Sequence, residues 1–128
     1  VGISGAIYDY DGNVYVSDEA RMMARFKNFY FRLGNVNENS YQEMFNGELL
    51  HNIIASACTE CLPVCAECVF QPYCGADPVR NMSEQGDMVG FRPTNEMCKK
   101  TKAIMHYLFE LLRKHDPEIN RIFWSWLN

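Results

Sequence analysis

The chain has 128 residues, a formal charge of -4, 48% hydrophobic and 22% charged residues; this is the composition of a folded domain with its own core, and it excludes a disordered chain. Its length fits one domain of ordinary size better than two. Basic residues number 12 against 16 acidic ones, with no dense Lys/Arg cluster, so no nucleic acid is expected as a partner, and no apolar run nears the roughly 18 residues that cross a bilayer, so no membrane is expected either.

The start, Val1-Gly2-Ile3-Ser4, lacks the charged-then-apolar pattern of a signal peptide. It also lacks Met and passes almost at once into strand-like sequence, which reads as a piece of something longer. The fold class expected is α+β. Gly5–Tyr10 and Asn13–Ser17 are strand-like and flank Asp11-Gly12, a pair suited to a two-residue hairpin with positive φ at both positions, so a β-hairpin is predicted over about 5–17. Asp18–Phe26 reads as a short helix or a loop, and Phe29–Leu33 as a short strand broken by Gly34-Asn35.

Ser40 followed three residues later by Glu43 is a capping-box signature. Gly47 then divides two short helices, and in the second Leu49, Leu50, Ile53, Ile54 and Ala57 share one face, with His51 and Asn52 off it. From Cys58 to Pro93 no period is sustained and Pro and Gly recur, which predicts a long irregular loop; a loop of that length needs something other than a backbone ladder to hold it. A helix follows over about 95–115, with Thr94 as N-cap, Glu96 in the first turn and Arg113, Lys114 and His115 in the last, in keeping with the helix dipole. Its apolar stripe is Met97, Thr101, Ile104, Met105, Leu108, Leu111 and Leu112. Asp116-Pro117 starts a last helix over about 118–127, from which Ile122, Phe123 and Trp126 are expected to pack inward.

Five of the six cysteines crowd between Cys58 and Cys74. An even count permits a disulfide framework, but such frameworks compensate for small cores, and close Cys-x-x-Cys spacing in a chain with its own core fits metal ligation in a reducing cytosol better. A cytoplasmic location is the matching expectation. Cys65, Cys68, Cys74 and Cys98 supply the thiolates of one [4Fe–4S] cluster, with Cys98 at a helix start, where partial positive charge favours a thiolate. The alternative is tetrahedral zinc, which also selects thiolates and can occupy protein purified in air. Zinc sites usually pair two Cys-x-x-Cys knuckles, whereas Cys74 and Cys98 stand singly, so iron–sulfur is favoured.

Cys61-x3-Cys65-x2-Cys68 also has the spacing of a cluster that cleaves S-adenosylmethionine, but the barrel of βα units that carries such a loop is missing. No catalytic residue is assigned. Cys58 and Cys61 are left over, either as additional metal ligands, in a small site with His51 or replacing a ligand of the main site, or as buried small apolar residues.

Asp11-Gly12-Asn13-Val14-Tyr15, Leu33-Gly34-Asn35-Val36, Ser40-Tyr41-Gln42-Glu43-Met44-Phe45 and the cysteines after them resemble the SPASM domain, the C-terminal extension of many radical S-adenosylmethionine enzymes that act on peptides. Gln71-Pro72-Tyr73-Cys74-Gly75-Ala76-Asp77-Pro78, with Arg92-Pro93-Thr94 ahead of Cys98, is similar to the His-Xaa-Ser system radical maturase. The resemblance implies a single domain over 1–128, auxiliary to an upstream radical barrel that alone binds S-adenosylmethionine. A precursor peptide is the implied substrate, and no turnover is expected from this chain by itself. Cys65, Cys68, Cys74 and Cys98 match the ligands of the family's second auxiliary [4Fe–4S] cluster. Ser17 and Pro78 stand where many relatives carry ligands of the other cluster, so one cluster is expected. The competing reading of the same residues is a zinc-stabilised protein-interaction module.

Overall fold

A computed structural model describes residues 5–127; residues 1–4 and 128, the ends of the expected 1–128 span, lie outside the described residues. Within that span the chain forms two compact units, Val1–Phe91 and Arg92–Asn128.

The first unit is built on a three-stranded antiparallel sheet in the order β1 (Ile7–Tyr8), β2 (Asn13–Tyr15), β3 (Arg32–Asn35). The expected hairpin is present with a different turn. Asp9 donates its N–H to Asn13 O at 2.8 Å and Gly12 donates to Asp9 O at 3.0 Å, so the loop holds Tyr10, Asp11 and Gly12. Of these, only Gly12 has positive φ, at 82°. A three-residue loop ending in a left-handed glycine is the usual alternative to the two-residue turn. Here the Asp11 side chain favours it by accepting from the backbone and the side-chain amide of Asn13, at 3.0 and 2.7 Å.

The third strand runs through Gly34-Asn35, where the sequence predicts a break. Gly34 pairs with Val14 and Asn35 with Asn13. A Cβ on Gly34 would lie 2.7 Å from Asn39 Oδ1 and 2.8 Å from Met44 Cγ, so this glycine is what lets the following turn and helix close onto the strand. Asn35 then locks the sheet to the hairpin: its Nδ2 donates to Asp11 O at 3.0 Å and to Asn13 Oδ1 at 3.2 Å, and its N–H donates to Asn39 Oδ1 at 2.9 Å.

Helix α1 (Asp18–Arg25) starts at Ser17, whose hydroxyl accepts from the Ala20 N–H. Arg25 anchors it to the hairpin, with Nη2 3.1 Å from Asp9 Oδ2 and its guanidinium over the Tyr10 ring. The Ser40–Glu43 capping box forms at the start of α2 (Tyr41–Phe45), and α3 (Glu48–Ala57) follows Gly47 as expected. Tyr15, Val16, Ala20, Phe31, Leu50, Ile53 and Val79 make the core. Burying each large apolar side chain contributes about 1.5–3 kcal/mol.

Between Cys58 and Pro93 the chain is more ordered than its composition suggests. Helix α4 spans Pro78–Gln85, with Asp77 Oδ1 accepting from the Val79 and Arg80 amides and Gly86 ending it in the left-handed region at φ 73°. Pro at the first position and Gly after the last are helix boundaries here, not loop markers. Val79 is buried in the core. The buried Asn81 ties down the turn that follows, donating from Nδ2 to Met88 O at 2.9 Å and to Val89 O at 3.1 Å.

In the second unit, α5 runs Glu96–Arg113 and α6 runs Pro117–Ser125. The N-cap of α5 is Asn95, one residue later than expected, because Thr94 lies in a single 3-10 turn (Arg92–Thr94). Met97, Thr101, Met105, Leu108 and Leu111 of the expected stripe are half-buried, whereas Ile104 and Leu112 are exposed. On α6 only Phe123 of the expected inward trio is half-buried; Ile122 and Trp126 are exposed, and Phe123 packs on Trp126 with ring centroids 5.2 Å apart.

Candidate metal centre

The segment that follows α3 is a chain of short turns in step with its cysteines. Cys61 N–H donates to Cys58 O at 3.0 Å, Cys65 to Leu62 O at 3.2 Å, Cys68 to Cys65 O at 3.0 Å, Gln71 to Cys68 O at 2.9 Å and Cys74 to Gln71 O at 3.2 Å. Each bond links a residue to the third before it, so every thiol from Cys61 to Cys74 stands at the close of a turn. Such a path satisfies the backbone locally and leaves side chains on the surface. Cys58, Cys65, Cys68, Cys74 and Cys98 are half-buried, Cys61 is exposed, and none of the six is in a disulfide.

Leu62 and Thr59 anchor the segment, each nearly buried. Gln71 Nε2 donates to Thr59 Oγ1 at 3.0 Å, closing the stretch that holds Cys61, Cys65 and Cys68. Val64 sits between Pro63 and Cys65 at φ 69°, a left-handed conformation that is costly for a β-branched side chain. Neither Val64 nor the Thr59–Gln71 bond carries a motif. The proline before Val64 is the one local hint of an unusual backbone.

Cys58 and Cys61 come together, with Sγ atoms 3.5 Å apart and Glu60 Oε2 3.5 Å from Cys58 Sγ. The Cys61 sulfur as acceptor and the Glu60 carboxylate beside it push the Cys58 thiol above its ordinary 9.0. Glu60 is held below the usual carboxylate range, first by its own backbone N–H and then by the Cys58 thiol. Among the described residues, no three His, Cys, Asp or Glu side chains converge as they would around a metal ion.

Cys98 lies in the first turn of α5, in the second unit. Its N–H donates to Asn95 Oδ1 at 2.8 Å, and Asn95 is buried. Arg92, 8% exposed, opens the same unit; its Nε and Nη2 are buried and find no hydrogen-bond partner among the described residues. Two buried guanidinium nitrogens lacking an acceptor are costly, which marks a place where negative charge is wanted.

A family model for the SPASM iron–sulfur cluster-binding domain matches residues 4–69. The chain belongs to the SPASM family. The match takes in the sheet, the first three helices and the cysteines from Cys58 to Cys68, and stops before Cys74 and Cys98. No curated protein and no solved structure matches the chain. As a SPASM domain it binds an iron–sulfur cluster, and the donor chemistry fits: thiols are the ligands such clusters require, and they lie here on turns and at a helix start. No helix among the described residues is long and apolar enough to cross a membrane.

Proposed function

We propose that this SPASM domain is the C-terminal auxiliary part of a radical S-adenosylmethionine maturase that modifies a ribosomally made peptide, and that Cys65, Cys68, Cys74 and Cys98 hold one [4Fe–4S] cluster in it. The observation that carries the reading is the run of turns in which Cys65, Cys68 and Cys74 each stand at a closure, joined to a family match that ends within that run. Cys98, with its amide fixed by Asn95, is the fourth ligand in this reading. The two buried, unpartnered guanidinium nitrogens of Arg92 support it, since a thiolate-ligated cluster carries net negative charge.

When bound, such a cluster supplies one-electron transfer at a tunable potential. The chain's own contribution is to fix the ligands. Thr59 and Gln71 hold the turns in place, Asn95 sets the start of α5, and Arg92 balances charge. With cysteines as all the ligands no iron is left open, so the domain passes electrons or shapes the docking surface for the peptide. Gln71–Pro78 and Arg92–Thr94 favour a peptide of the His-Xaa-Ser type as the substrate, and the barrel upstream as the source of the radical.

Anaerobic reconstitution of the chain with iron and sulfide tests the reading. About four irons and four sulfides per chain are expected, lost in Cys65→Ala, Cys74→Ala and Cys98→Ala alike. One bound zinc and no sulfide would point to the interaction module, and full iron retention in Cys98→Ala would remove the fourth ligand.

A further inference from the structure

Cys58 and Cys61 lie outside the proposed ligand set, yet the fold holds them as a pair. Cys58 ends α3, donating its N–H to Ala55 O at 3.3 Å, and the Cys61 N–H closes the next turn on Cys58 O at 3.0 Å. The buried Thr59 pins that turn, so the separation of 3.5 Å between the two sulfurs is set by anchored backbone. Disulfide formation asks the sulfurs to close to about 2.05 Å, a movement within reach of side-chain rotation. Two adjacent thiols suit a bond to each other. Cys61 is exposed and Cys58 half-buried, the usual division between an attacking thiol and a resolving one.

We propose that Cys58 and Cys61 form a reversible redox dithiol that closes to an intramolecular disulfide by exchange with a small-molecule disulfide. The Cys61 thiolate attacks one sulfur of the oxidant, breaking its S–S bond and releasing one thiolate. Cys58 gives its proton to solvent and attacks the Cys61 sulfur of the mixed disulfide, releasing the second. Two protein thiols are oxidised and one disulfide is reduced to two thiols, so atoms and electrons balance. The closed form withholds both sulfurs from iron, leaving the metal to the cysteines that follow. The proposal goes beyond the cluster assignment and is read separately from it.

The test equilibrates the reconstituted chain anaerobically in mixtures of oxidised and reduced glutathione, traps thiols with N-ethylmaleimide and digests after glutamate. Cleavage after Glu60 parts Cys58 from Cys61, so the disulfide form appears as two joined peptides about 2 Da lighter than the paired thiols. Joined peptides that grow with the oxidised fraction at constant iron content are expected, and Cys58→Ser should stall with one glutathione on Cys61. Two alkylated thiols at every ratio would overturn the proposal, and so would loss of iron in Cys58→Ser. Iron loss in Cys98→Ala bears on the cluster assignment alone.

Discussion

Gln71 reaches back across twelve residues to donate a hydrogen bond of 3.0 Å to the hydroxyl of the buried Thr59, tying the two ends of the segment that carries Cys61, Cys65 and Cys68. A net hydrogen bond is worth about 1 kcal/mol. Gln71→Ala is therefore expected to speed amide exchange about fivefold across residues 61–71, with the amides of β2 unchanged. Equal acceleration in both places would show that the bond supports the whole unit and has no special hold on the cysteine turns.

Gly34 is a position at which β3 comes close to Met44 of α2. An added methyl would meet Asn39 Oδ1 at 2.7 Å, the same atom that accepts the Asn35 N–H, so it cannot retreat without breaking that bond. Gly34→Ala is expected to cost about 1–3 kcal/mol, seen as a lower thermal midpoint of the cluster-free chain. An unchanged midpoint would mean that the turn after β3 yields freely.

Much of this was legible in the residues. The capping box at Ser40, the division at Gly47 and the long helix after Pro93 rest on local signals, and local hydrogen bonds produced them. The strand register was not legible, because Gly34-Asn35 reads as a break until Asn35 is seen bonded to Asp11 and Asn13, residues distant in sequence. Helix α4 has readable boundaries in Asp77-Pro78 and Gly86, but eight residues with only Val79 in the core and Met82 packed against it give little periodicity, and the flanking cysteines and prolines have the composition of a loop. The thiols themselves were plain in the sequence. What held them, Thr59 with Gln71 and the turn ladder, was not, since neither has a composition that sets it apart.

Val64 holds φ at 69° just before Cys65, and its side chain is half exposed. Relieving a β-branched residue in this region gains about 1–3 kcal/mol, while glycine gives back about 0.5–1 kcal/mol in chain entropy. Strain outweighs entropy, so Val64→Gly is expected to raise the stability of the cluster-free chain by about 1 kcal/mol, measured by urea unfolding. A loss of stability would show that the Val64 side chain contributes packing that its exposure hides.

The Cys58 thiol, raised first by its contact with Cys61 and then by Glu60, should stay protonated above the ordinary thiol range. The folded chain then holds this proton more tightly than the unfolded one. The resulting stability is full below the ordinary value of 9.0 and is lost as pH climbs through the higher folded value. Iodoacetamide labelling of Cys58 against pH should accordingly have its midpoint above that of an unfolded peptide. Cys61→Ser and Glu60→Gln should each move it down, Cys61→Ser the further. A profile that neither substitution shifts would remove both contacts as the cause.

Arg92 separates a charge-balancing role from a packing one, because the two predict opposite signs. In the cluster-free chain its Nε and Nη2 are buried with no hydrogen-bond partner among the described residues. Arg92→Met keeps the length of the side chain and discards the charge. It should therefore stabilise that form by about 1–3 kcal/mol. In the reconstituted chain the same change removes a positive charge that favours electron uptake, so the reduction potential should fall, with Arg92→Lys in between. If Arg92→Met instead destabilises the cluster-free chain and leaves the potential where it was, the guanidinium serves the protein's own packing, and the link between Arg92 and the cluster is lost.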